Sequence, residues 1–119
     1  MTDYVKINRS DDRIDVWFYN EHDKPFSIGE KMYEINDEAY MNGYNWDAFF
    51  NYYLAQNAPD ILEGLDSDPE AGSYAVFYDL TEENEKKAKR FAEIIVSLIE
   101  NEEELYRIVR EQGDEIEWD

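Results

Sequence analysis

The side chains able to do chemistry are narrow in type: thirty carboxylates stand beside one histidine and no cysteine in 119 residues. A lone His22, next to Asp23, supplies neither a His-rich metal centre nor a Cys–His nucleophilic pair, and reads as a solvated loop residue. Ser10, Ser27, Ser67, Ser73 and Ser97 lie outside any Gly-x-Ser-x-Gly turn, so a Ser-His-Asp arrangement has no framework. No Gly-x-x-x-x-Gly-Lys-Ser/Thr loop and no Gly-x-Gly-x-x-Gly is present to cradle phosphates. The stretch Asp66-Ser67-Asp68-Pro69-Glu70-Ala71-Gly72 places oxygen ligands at alternate positions, as a calcium loop does. An EF-hand needs Gly sixth and Glu twelfth, whereas Gly72 falls seventh and Phe77 twelfth. The expected form is a solvated turn, with Asp68 capping the Pro69 turn. Neither a metal nor a cofactor is expected.

Paired carboxylates remain, and thirty of them guarantee some pair at the glycosidase spacing of about 5–10 Å by number alone. A working acid needs an apolar setting that raises its pKa. Asp47, flanked by Trp46 and Phe49, and Asp79, flanked by Tyr78 and Leu80, are the best placed. The expectation is that the chain is not an enzyme.

The stronger signal is the field of the whole chain. Eleven Lys and Arg leave a formal charge of -19, and the bases are unevenly distributed. Residues 1–40 hold ten acids and five bases, 86–119 hold ten and six, and 41–85 hold ten and none. Such a surface repels phosphate backbones and anionic leaflets and attracts cationic partners. Nucleic-acid and membrane binding are therefore excluded as expectations. The N-terminal Met1-Thr2-Asp3-Tyr4-Val5-Lys6 lacks the apolar run of a signal peptide, and the absence of cysteine suits a reducing compartment, so a cytoplasmic location is expected.

These groups need a scaffold, and 43% hydrophobic with 16% aromatic residues is the composition of a folding chain. With no linker and no repeat, residues 1–119 read as one domain. Tyr4–Ile7, a turn at Asn8–Asp12, and the alternation of Ile14, Val16 and Phe18 with Asp15, Trp17 and Tyr19 predict an antiparallel hairpin. Its second face is aromatic enough to need a cover. A loop is expected over Asn20–Pro25, then a short helix or irregular crossover at Ile28–Ile35. Trp46, Phe49, Phe50, Tyr53 and Leu54 keep helical spacing behind Asn45 as N-cap, ending near Asn57, with one further turn at Ile61–Leu65. Ser73–Leu80 predicts a strand with Tyr74, Val76 and Tyr78 on one face.

Thr81 should cap a helix with Ala88, Phe91, Ala92, Ile95, Leu98 and Ile99 inward and Lys86, Lys87, Lys89 and Arg90 outward. Asn101 should cap another that ends before Gly113. Ile116 and Trp118 suggest a short edge strand. The sum is α+β: a small antiparallel sheet with three to four helices packed against it.

The run Gly43-Tyr44-Asn45-Trp46-Asp47-Ala48-Phe49, Tyr52-Tyr53-Leu54, Pro59, Asp68-Pro69-Glu70-Ala71-Gly72 and the closing Ile116-Glu117-Trp118-Asp119 resembles the immunity protein 51 family of bacterial polymorphic toxin systems. The resemblance covers about residue 40 to the end. It implies a small cytoplasmic α+β protein that binds and neutralises a cognate toxin domain. The matched positions read as structural: Gly43 before the N-cap, Trp46 and Tyr53 on the apolar stripe, and Trp118 sealing the sheet edge.

Charge alone predicts the sign of the partner, a cationic toxin domain and, if that toxin is a nuclease, its phosphate-binding groove. Asp60, Glu63, Asp66, Asp68 and Glu70 are the candidate contacts, with Tyr44 or Tyr74 as the desolvated aromatic at their centre. The competing classes are an acidic DNA mimic, which should lose affinity steeply with salt, a carboxylate-based enzyme and a metal-binding module.

Overall fold

The computed structural model describes residues 2–119. Met1, the first residue of the stretch read above for a leader, lies outside them. Strands β1 (Val5–Arg9), β2 (Arg13–Phe18), β3 (Asp66–Ser67) and β4 (Tyr74–Asp79) form one antiparallel sheet in the order β1-β2-β4-β3. Helices α1 (Asp23–Ile35), α2 (Gly43–Asn57), the single turn α3 (Pro59–Leu62), α4 (Glu82–Glu100) and α5 (Glu102–Gln112) complete an α+β fold.

The alternation decides which face is covered. Ile14, Val16 and Phe18 of β2 join Tyr74, Val76 and Tyr78 of β4 in a buried layer, with α4 packed along the sheet and α2 against β4. Five aromatics interlock there: Phe18 meets Trp46 at 5.0 Å, while Phe50 meets Tyr74 at 5.3 Å and Phe91 at 5.4 Å. Edge-to-face and tilted contacts of this kind add to plain area burial. The opposite face covers itself rather than receiving a helix. Trp17 stacks on Tyr19, and the Arg13 guanidinium lies over Phe77 at 4.4 Å while donating to Asp15 at 2.9 Å.

Several expectations are corrected by the structure. The crossover is a full helix beginning at Asp23, so His22 is its exposed N-cap residue and Asn20–Pro25 is not a continuous loop. Pro25 lies in the first turn, where a missing N–H removes no helical bond. Helix α2 starts before Asn45, with the Asn42 side chain accepting from the Asn45 amide at 3.0 Å. Gly43 is its first residue rather than a turn ahead of the cap. Its amide donates to the Ala71 carbonyl at 3.0 Å, and a Cβ there would stand 1.8 Å from the Glu70 carbonyl oxygen and 2.2 Å from that of Ser73. Only glycine permits that approach.

Freed from capping, Asn45 is buried and donates to the Tyr40 carbonyl at 2.8 Å while accepting from the Asp119 amide at 2.6 Å. The tail is a 3-10 turn (Gly113–Glu115) and an extended end, not an edge strand. Trp118 donates its indole N–H to the Gly113 carbonyl at 3.0 Å and seals no sheet edge. Lys87 is buried, donating to the Glu63 carbonyl at 3.2 Å, where an outer position was expected. Thr81 caps α4 as expected, accepting from Asn84 at 3.0 Å. Among the described residues no helix is long and apolar enough to cross a membrane.

Candidate interaction site

The predicted acidic positions separate once folded. Asp60 sits in α3 and receives an Arg90 N–H at 2.5 Å, and this hydrogen bond holds its carboxyl below the usual carboxylate range. Glu63 caps α3, beside the Lys87 ammonium that donates to its carbonyl. A segment without a single base is thus supplied with two from α4. Asp66 and Ser67 form β3 rather than coiling into a calcium loop, and the Asp68 amide donates to the Ala75 carbonyl at 2.8 Å. Asp66, Asp68 and Glu70 are exposed. Tyr44 is 42% exposed in the first turn of α2.

Tyr74 is 1% exposed, and its burial pushes its hydroxyl well above the ordinary tyrosine range. It belongs to the core and has no surface to give a partner, which corrects its assignment as a contact. The reason is the alternation of β4: Tyr74 shares the inner face with Val76 and Tyr78.

Asp79 is exposed at the end of β4. Asp47, in contrast, is half-buried, one carboxylate oxygen meets no donor among the described residues, and burial raises its pKa against a hydrogen bond from Ser67. Among the described residues no three His, Cys, Asp or Glu side chains are grouped as a metal centre would need.

A different place assembles the features expected of an interface. A groove of about 380 Å³ runs between α1 and the connector to α2. Phe26 and Tyr33 of α1, 49% and 47% exposed, form one side, and Tyr40, 65% exposed, stands edge-on to Tyr33 at 5.9 Å. Met41 lies along its floor with Ala71, the neighbour of Glu70. The Ala71 carbonyl accepts from both Gly43 and the Asn20 carboxamide, which fastens the 68–73 turn to the groove's end.

Three carboxylates, Glu21, Glu30 and Glu34, line the same groove and have no ion-pair partner among the described residues. Glu21 reaches over the 70–73 turn because Gly72 has no side chain: a Cβ there would lie 2.7 Å from the carboxylate. Helix α1 does carry two lysines, but spacing of seven puts both on another flank. Lys24 bonds Glu100 at 2.9 Å and Lys31 approaches Glu102 at 3.9 Å, so both serve α4 and α5. Glu100 also accepts the Tyr4 hydroxyl at 2.6 Å, and with Lys24 this holds its carboxyl below the usual range.

The sequence pattern does not single out this groove, because Phe26 lies between the expected loop, Asn20–Pro25, and the expected segment Ile28–Ile35. One signal was available: on a helix from Asp23, Phe26, Glu30, Tyr33 and Glu34 fall on one side by i, i+4, i+7 and i+8 spacing, apart from the buried Pro25, Ile28, Gly29 and Met32.

Among curated proteins and solved structures, none matches the chain. Residues 5–114 match the family immunity protein 51. That span adds the N-terminal hairpin and α1 to the region on which the sequence resemblance rested, and leaves the closing Ile116–Asp119 outside it. The chain belongs to the immunity protein 51 family, and its function is that of an immunity protein.

Proposed function

We propose that the chain neutralises a cognate bacterial toxin domain by stoichiometric, non-catalytic binding, in the cytoplasm, through the aromatic groove and its acidic rim. The observation that carries this reading is three half-exposed or more exposed aromatics beside three carboxylates that no lysine or arginine compensates. Interfaces draw affinity from aromatic anchors that lose water on docking, while unpaired charges around them set the partner's sign and speed its approach. A cationic partner surface is the complement, and a nuclease, which must hold phosphates, is the leading class.

Asp66, Asp68, Glu70 and Tyr44 flank the contact as its periphery in this proposal. The turn that bears Glu70 reaches the groove through Ala71, and Asn42, two residues before Tyr44, lines it. Asp60 and Glu63 contribute less, because α4 already supplies positive groups to them. The outer sheet face is a poorer centre: Trp17 and Phe77 are only partly exposed and Arg13 is paired with Asp15.

The test is co-expression with the toxin domain encoded beside the chain. A one-to-one complex that survives moderate salt, together with restored growth, is expected. Binding to several unrelated DNA-binding proteins that collapses as salt rises would instead mark a DNA mimic. Turnover lost on Asp47→Asn or Asp79→Asn with the fold intact would mark an enzyme.

A further inference from the structure

Asn20, directly after β2 and its neighbour Tyr19, is 2% exposed and lines the groove. Its carboxamide N–H is used, donating to the Ala71 carbonyl at 3.3 Å, but its oxygen meets no donor among the described residues. A buried acceptor left without a donor is costly, and on a residue that lines an open groove it gains one when a ligand N–H enters beside it and the carboxamide shifts to meet it. Around it stand aromatic faces and edges from Phe26, Tyr33 and Tyr40, with Glu21, Glu30 and Glu34 at the rim.

We infer that the groove is a receptor for an arginine side chain of the toxin domain. Its guanidinium stacks among the aromatics, donates to the Asn20 oxygen and pairs with the rim carboxylates. The guanidinium is the one side chain that is planar enough to stack, carries five donors for the amide and the carboxylates together, and sheds water readily. A lysine ammonium fits less well, being compact and strongly hydrated, and an apolar anchor would leave the Asn20 oxygen unpaired. This assignment rests on the proposed toxin-binding role and specifies what that surface reads.

Two arms test it and separate it from the broader reading. In the first, the labelled full chain is titrated with N-acetyl-arginine amide, N-acetyl-lysine amide and the neutral isostere N-acetyl-citrulline amide, followed by NMR. Saturable shifts at the Asn20 carboxamide and the Tyr33 and Tyr40 rings are expected, with the arginine probe at least fivefold tighter than citrulline and tighter than lysine. Phe26→Ala with Tyr33→Ala, both outside the core, should remove saturation while the rest of the spectrum persists. No saturation, or citrulline within twofold of arginine, overturns the assignment.

In the second arm, the adjacent toxin domain carries labelled arginine side chains. One arginine Nε signal should move on binding the wild-type chain and stay free with Glu21→Gln/Glu30→Gln/Glu34→Gln. Groove signals that move while no arginine signal does would overturn the guanidinium and leave docking at the groove standing. A toxin domain that binds and leaves the groove signals unmoved would overturn both.

Discussion

The segment from Asp60 to Glu70 and the groove beside α1 are both acidic, and they trade places between chain and fold. In the chain the first holds five acids in eleven residues without a base, while the second interleaves its acids with Lys24 and Lys31. In space Arg90 closes on Asp60 and Lys87 on the Glu63 carbonyl, and the aromatic nearest in sequence, Tyr74, is inside the core. The groove loses its lysines to α4 and α5 and keeps its aromatics outside. A charge tally along a sequence therefore locates net charge, whereas helix faces decide which of it stays uncompensated.

The harshest way to break this comparison is Gly43→Ala, since both regions hang on the joint between α2 and the 68–73 turn. The added methyl has no room against two backbone oxygens. A loss of about 3 kcal/mol is expected, read as a melting temperature lower by roughly 10 °C. An unchanged melting curve would show the joint to be loose.

Phe26→Ala with Tyr33→Ala sharpens it from the other side. Toxin affinity should fall about tenfold or more at a nearly unchanged melting temperature, measured by calorimetry, because the lost contacts lie on the surface of α1. Tyr44→Ala is the internal control and should cost less.

Asp47→Asn probes a carboxylate that belongs to neither region. With its pKa raised by burial, the folded state binds more protons than the unfolded one between the two pKa values, so its stabilising contribution is complete at lower pH and is lost as pH rises through the folded value. The amide should then raise stability at pH 7 by roughly 0.5 kcal/mol, discounted for partial exposure, and make no difference below about pH 4.

The smallest effect concerns Arg90→Ala. Asp60 has a depressed pKa, so the pair stabilises above the ordinary carboxylate range and its contribution is lost as pH falls through the folded value. Removing Arg90 should return the Asp60 carboxyl to its ordinary titration range in a carbon NMR titration and barely change the melting temperature.

Where periodicity was strong, fold was legible. The alternation through Phe18, the stripe from Trp46 to Leu54 and the Thr81 cap all stand as read. Helix α1 was half hidden because Pro25 and Gly29 resemble breakers, although a first-turn proline is harmless and the glycine sits buried inside the helix. The tail misled because Ile116 and Trp118 share a strand-like spacing, while the Ile116 amide and the Trp118 indole both donate to the Gly113 carbonyl and the Asp119 amide donates to Asn45 of α2, none of them to a sheet edge. For the site, Tyr44 and the carboxylates Asp66, Asp68 and Glu70 are exposed, whereas Tyr74 is buried in the core. The groove itself depends on where α1 meets Tyr40 and Met41, a contact between separate elements that local patterns do not encode.

The most direct measurement sets the two acidic regions against each other in one binding assay with the proposed cognate toxin domain. Glu21→Gln/Glu30→Gln/Glu34→Gln should weaken binding at least tenfold, about 1.4 kcal/mol, and Asp66→Asn/Asp68→Asn/Glu70→Gln less than about threefold. The reverse order, with the groove variant binding like wild type and the 66–70 variant losing the toxin, would contradict the account.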